Sequence, residues 1–151
     1  MKRTLRGLLC LATLAIAATV LTGCGGDSAR AAGPSATVTI RFSHFEQSLI
    51  TVPAGQPVAI TLNNTDPIEH EWIVGTEEVH ERHRTGTDGY HDQLPTEVTV
   101  PALTTRQTTV RFDTPGDYPF ICHLPGHEAY GMKGILRVVA NQSTDKQRIN
   151  G

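Results

Sequence analysis

The chain has 151 residues, 38% of them hydrophobic and 19% charged, with 14 glycines and 9 prolines; this suffices for a leader and one turn-rich domain of about 100 residues, and leaves no room for a second core. Only 5% of the residues are aromatic, so that core must be mainly aliphatic. The formal net charge is −2, but Lys2, Arg3 and Arg6 all precede residue 24 and no acid does, so the remainder carries ten bases against fifteen acids, a net −5; without a basic footprint, a nucleic-acid partner is excluded.

In chain order, the basic start Met1–Arg6 is followed by an apolar run from Leu8 to Thr22. That run is short for a membrane span and has the length of a signal-peptide core. It closes on Leu21-Thr22-Gly23-Cys24, which resembles the bacterial lipobox, where cleavage precedes a cysteine that then receives lipid. Residues 1–23 are therefore read as a lipoprotein-type signal peptide and Cys24 as the lipidation site; the plainer alternative is an ordinary leader or an uncleaved anchor. Either reading puts the folded part outside the cytoplasm; the lipoprotein reading also anchors it to the bacterial membrane by lipid, facing the periplasm or the cell exterior. Residues 24–36 are small and polar, as a flexible tether would be.

From Thr37 the pattern changes, with Val38, Ile40 and Phe42 alternating with Thr37, Thr39 and Arg41 in the period of a half-buried strand. Similar short runs follow at Leu49–Val52, Val58–Leu62, Glu71–Val74, Glu97–Val100, Gln107–Phe112, Tyr118–Ile121 and Ile135–Val139, separated by Gly, Pro and Asn turns. About eight strands at this spacing predict an all-β, Greek-key sandwich or barrel over residues 37–140, with 141–151 a polar tail. Pro119 lacks a ladder donor, so its nitrogen should face an edge or bulge. The 21 residues of Gly75–Pro95 break the rhythm: rich in acid, Arg and His, they predict a long surface excursion with a helical turn near Glu77–His83.

With Cys10 in the leader and Cys24 assigned to lipid, Cys122 is the one thiol left to the domain, and an unpaired thiol in an exported protein points to reactivity or metal ligation. Cys122, His127 and Met132 follow at intervals of five and five between two predicted strands. A thiolate, two imidazoles and a weak axial thioether form the donor set that selects copper in electron-transfer sites. The second imidazole is best supplied by His70, which opens a strand directly after a turn. His123 alternates away from Cys122 and is read as a non-ligand, and His44 as a surface or capping residue. His80 and His83 would share a helical face, where with Glu77 or Glu81, and with His91 farther along, they offer a second metal site; a solvated acidic loop is the competing reading.

Over about Thr37–Ala140 the domain resembles a cupredoxin of the plastocyanin/azurin type, through Val52-Pro53-Ala54-Gly55, the Asn63-to-His70 turn, Gly116-Asp117-Tyr118, the Cys122, His127 and Met132 series and Gly134, in family order. The resemblance implies one type 1 copper held by His70, Cys122, His127 and axial Met132, in a monomer that exchanges single electrons with transient redox partners and is not an enzyme. Many members carry Asn after the first ligand His, tying down the ligand loop; here Glu71 stands instead, and the His-to-Met interval is one residue longer than in azurin. Copper delivery or resistance, using the His-rich excursion, is the alternative. An oxidase-like or nitrite-reductase-like enzyme would need His-X-His pairs, and a binuclear centre would need a second thiolate in the loop; the sequence has neither. Zinc is a competing occupant of a cysteine with two histidines.

Overall fold

The structure is a computed structural model that describes residues 33–86 and 94–141; the predicted leader, the tether as far as Ala32, Cys24, His91 and the tail beyond Asn141 lie outside these. Nine strands are present among the described residues: β1 (Ser35–Arg41), β2 (His44–Phe45), β3 (Leu49–Pro53), β4 (Val58–Asn64), β5 (His70–Val74), β6 (Glu97–Val100), β7 (Thr105–Val110), β8 (Gly116–Ile121) and β9 (Lys133–Val139). One helix, α1 (Glu77–Thr85), separates β5 from β6. No helix among the described residues is long and apolar enough to cross a membrane.

The strands form two mixed sheets, ordered β2-β1-β4-β7 and β3-β9-β8-β5-β6. Two pairings are parallel, β1 with β4 and β3 with β9, and the rest are antiparallel. Alternation dictates the packing. Val58, Ile60 and Leu62 of β4 turn inward with Val38 and Ile40 of β1, and meet Val52, Trp72, Phe120, Leu136 and Val138 of the other sheet in one aliphatic core. The scarce aromatics cluster: the Phe120 ring lies 5.1 Å from Phe45, edge to face, and 6.2 Å from Trp72.

The expectations need amendment at several points, and β1, β8 and β9 each open two residues earlier than expected. There are nine strands rather than about eight, because the two-residue β2 is too short to leave a periodic signal. β7 starts two residues early and stops at Val110, following the whole length of β4 from Val58↔Val110 to Asn63↔Thr105, while the Phe112 ring packs on Tyr118 at 4.4 Å. The described first part of the excursion is not a solvated loop: α1 occupies it, ending on Gly86 in the left-handed region (φ 69°), and buries His80 completely.

Pro119 sits where β5 and β8 part. The last β5–β8 pair is Val74↔Phe120, and the next carbonyl, that of Pro119, accepts the Gly75 N–H at 3.1 Å. A residue's N and O face the same neighbouring strand, so the proline nitrogen faces Gly75 where an amide would have continued the ladder. The same carbonyl also accepts from His80 Nε2, at 3.1 Å.

Candidate metal centre

Two elements build the site. β5 begins at His70, paired with Val100 of β6, and β8 ends at Ile121, so that Cys122 leaves the sheet beside the start of β5. The Glu71 N–H lies 3.4 Å from Cys122 Sγ. The loop 122–132 is closed on itself: Cys122 N–H donates to Met132 O, Met132 N–H to His127 O, and His127 N–H to Leu124 O. Its tight turn places Gly126 at φ +86°, where an added Cβ would lie 3.2 Å from the Tyr130 ring. The interval of five residues therefore reflects a loop folded so that residues 122, 127 and 132 share one end.

His127 Nδ1 lies 3.2 Å from Cys122 Sγ and 3.3 Å from His70 Nδ1. These ligand atoms of His70, Cys122 and His127 all lie within 4.8 Å of one another, and no other group of three or more His, Cys, Asp or Glu side chains among the described residues does so. His70 and Cys122 are fully buried and His127 is partly exposed. Met132, the sequence-derived axial ligand, is fully buried and tied through its backbone to both Cys122 and His127. Burial pushes the Cys122 thiol up to about 11 despite the Glu71 and Leu124 N–H groups. The sulfur thus becomes a thiolate when a cation replaces its proton, and soft sulfur with two imidazoles fits copper better than a hard ion.

The turn before His70 is held by Asn64, whose Nδ2 donates to the carbonyls of Ile68, Val100 and Pro101 at 2.8, 3.0 and 3.0 Å. Asn64 Oδ1 accepts the Asp66 N–H at 3.0 Å. These bonds tie the turn to the end of β6 rather than to the 122–132 loop. Asp66 in turn accepts from His70 Nε2 at 3.0 Å. The sequence reading missed this partner, since an acid before a proline is the ordinary composition of a turn.

The histidines offered as a second metal group are placed differently from their expected pairing. His80 Nδ1 faces His123 Nε2 at 3.0 Å, and His83 stacks on the His123 ring at 5.2 Å while its Nδ1 donates to Val79 O. Glu77 and Glu81 turn to Arg84, which also grips Glu128 through Nε and Nη2, at 2.7 Å for the shortest contact. His123 does point away from Cys122, into the helix. His44 is exposed, with Nδ1 2.8 Å from the Phe42 carbonyl.

Two packed sheets, with a buried Cys and two His meeting at one end through the loop before the last strand, define a β-sandwich with a thiolate–imidazole metal centre. Residues 12–138 match the Cupredoxin-like domain family, and the chain belongs to it. It is 32% identical over 117 residues to the copper-resistant cuproprotein CopI of Rubrivivax gelatinosus, covering 75% of this chain and 70% of that protein. It is 29% identical over 133 residues to auracyanin-B of Chloroflexus aurantiacus, covering 76% of this chain and 57% of that one. Among solved structures, reduced auracyanin from Roseiflexus castenholzii superposes with a TM-score of 0.61 at 22% identity, over 72% of this chain and 98% of that one. Auracyanin B superposes with a TM-score of 0.59 at 24% identity, over 70% and 88%.

Proposed function

We propose that this chain is a type 1 copper protein that passes single electrons outside the cytoplasm, with His70, Cys122 and His127 as equatorial ligands and Met132 as the axial one. The observation that carries this reading is the meeting of one sulfur and two Nδ1 atoms within 4.8 Å, with one imidazole sealed in the core and the other partly exposed. Copper supplies a one-electron couple. The protein keeps the ligand atoms in place through both oxidation states, because each is anchored in a strand end or a closed loop.

The His127 ring edge is the route to a partner, and Leu124, Pro125, Ala129 and Tyr130 adjoin it in sequence. Tyr130 is 77% exposed, a large apolar face of the kind brief docking uses. The negative charge of the segment beyond residue 23 steers a basic partner, and salt slows that encounter. We include in the proposal an exported monomer tethered by lipid on Cys24, which the mass of the N-terminal peptide extracted from membranes tests.

The deciding experiment is the visible spectrum of the copper-loaded protein. An intense thiolate-to-copper band that disappears in Cys122→Ser supports the assignment; a colourless protein that binds copper or zinc equally well without Cys122 overturns it. A second reading, copper capture and delivery, draws on the similarity to a copper-resistance protein. It requires more than one copper per chain and loss of the extra equivalent when His80, His83 and His91 are replaced.

A further inference from the structure

Asp66 is 6% exposed, and its carboxylate accepts three hydrogen bonds: Oδ1 takes the Phe42 N–H at 2.7 Å, while Oδ2 takes the Ser43 N–H at 2.7 Å and the His70 ring at 3.0 Å. A carboxylate only accepts, so the proton on the His70 ring is on Nε2 and the lone pair is on Nδ1. Nδ1 is the atom that faces His127 and the Cys122 sulfur. Both oxygens of Asp66 face N–H donors, from Phe42, Ser43 and the His70 ring, as a carboxylate requires, so its negative charge stands one ring away from the metal position.

Phe42 and Ser43 are held at φ 53° and 55°, a region costly for residues with side chains, and both present their N–H groups to Asp66. The β1–β2 turn and the ligand histidine are thus fastened to a single carboxylate. A surface acid could satisfy either one. This buried acid does both.

We propose that Asp66 is a positioning residue for the metal centre: it fixes His70 as an Nδ1 donor, and its charge favours the more oxidised metal, holding the reduction potential below that of a neutral partner at the same place. The inference rests on the copper reading above. A carboxylate behind a ligand imidazole raises the basicity of the nitrogen that binds metal, and such partners alter metal affinity roughly 10–100-fold when removed.

Three measurements test it. Long-range nitrogen–proton correlation spectra of the metal-free wild type should show the His70 proton on Nε2; a ring protonated only on Nδ1 overturns the proposal without any variant. In Asp66→Asn, which keeps an oxygen acceptor but not the charge, the potential should rise, with a roughly tenfold loss of preference for the oxidised over the reduced metal, or about 59 mV for one electron. Phe42→Gly, which keeps the N–H and relieves the positive φ, should leave the potential at the wild-type value; a shift as large as that of Asp66→Asn would assign the effect to the turn and overturn the proposal. A folded, blue Asp66→Asn protein with the wild-type potential sinks the proposal. Absence of a blue band in the wild type itself would defeat the copper assignment instead, and the metal-free tautomer would still be measurable.

Discussion

His123 and His80 form a buried imidazole pair one residue beyond the proposed ligand thiolate. Burial, with the adjacent His80 ring, pushes His123 down to about 4 against the pull of Glu128, and burial likewise lowers His80 against the pull of the Pro119 carbonyl. Their surroundings are Glu77, His83 and Arg84 from α1 and Glu128 from the loop. Unfolding returns both rings to the ordinary value of about 6.5, so the unfolded chain binds the extra protons. Stability is therefore full above pH 6.5 and is lost as the pH falls toward 4, by on the order of 3 kcal/mol for His123 alone. Thermal melts of the metal-free protein should show this loss, and His123→Gln should flatten it; parallel pH profiles for the two proteins would remove the rings from the explanation.

At the scale of elements, the ligand loop is fastened on two sides. α1 lies against it through the His80–His123 contact, the His83–His123 stack and the Arg84–Glu128 fork. On the other side, β9 begins at Lys133 directly after Met132, and Gly134 fits there only because it has no side chain: a Cβ would collide with the Phe120 ring and lie 2.9 Å from Ser48 O. That oxygen cannot yield, since it accepts the Ile135 N–H at 2.9 Å. Gly134→Ala should cost roughly 1–3 kcal/mol. Chemical denaturation measures this directly, and an unchanged midpoint would show that the strand shifts freely.

These elements differ in how far the sequence disclosed them. The loop could be read because Cys, His and Met are rare, chemically distinct types and their order is itself the signal. Strands β3, β4 and β9 alternate buried and exposed residues and could be read from that, whereas β5 and β6 do not alternate and were legible only as short runs between turns. The helix was only half readable: Glu77–Thr85 has Val79 as its sole aliphatic residue, so no apolar stripe betrays which face turns inward, and the inward residue is a histidine. Asp66 was hidden for another reason. Its role arises from contact with residues 42 and 43, more than twenty positions earlier, and nothing local in the sequence encodes that pairing.

For the whole molecule, the two sheets act as a frame that brings His70 and His127, 57 positions apart, to 3.3 Å. The unfolded chain has no such arrangement, so metal that binds the folded form stabilises it by mass action. Copper at 100 times its dissociation constant should raise the unfolding free energy by about 2.7 kcal/mol. Calorimetry with and without metal should show an upward shift in Tm that Cys122→Ser abolishes; an equal shift in that variant would place the stabilising ion elsewhere.

The pairing of β9 with β3 is parallel, from Leu49↔Ile135 to Pro53↔Val139, and joins residues some 86 positions apart. Contacts that span so much chain carry a high loop-closure cost and form late in folding. Because β9 follows the ligand loop without a spacer, the pocket cannot close until the final strand has docked. A partly folded chain therefore offers its sulfur to the surroundings without the geometry to retain an ion, and loading belongs to the finished domain.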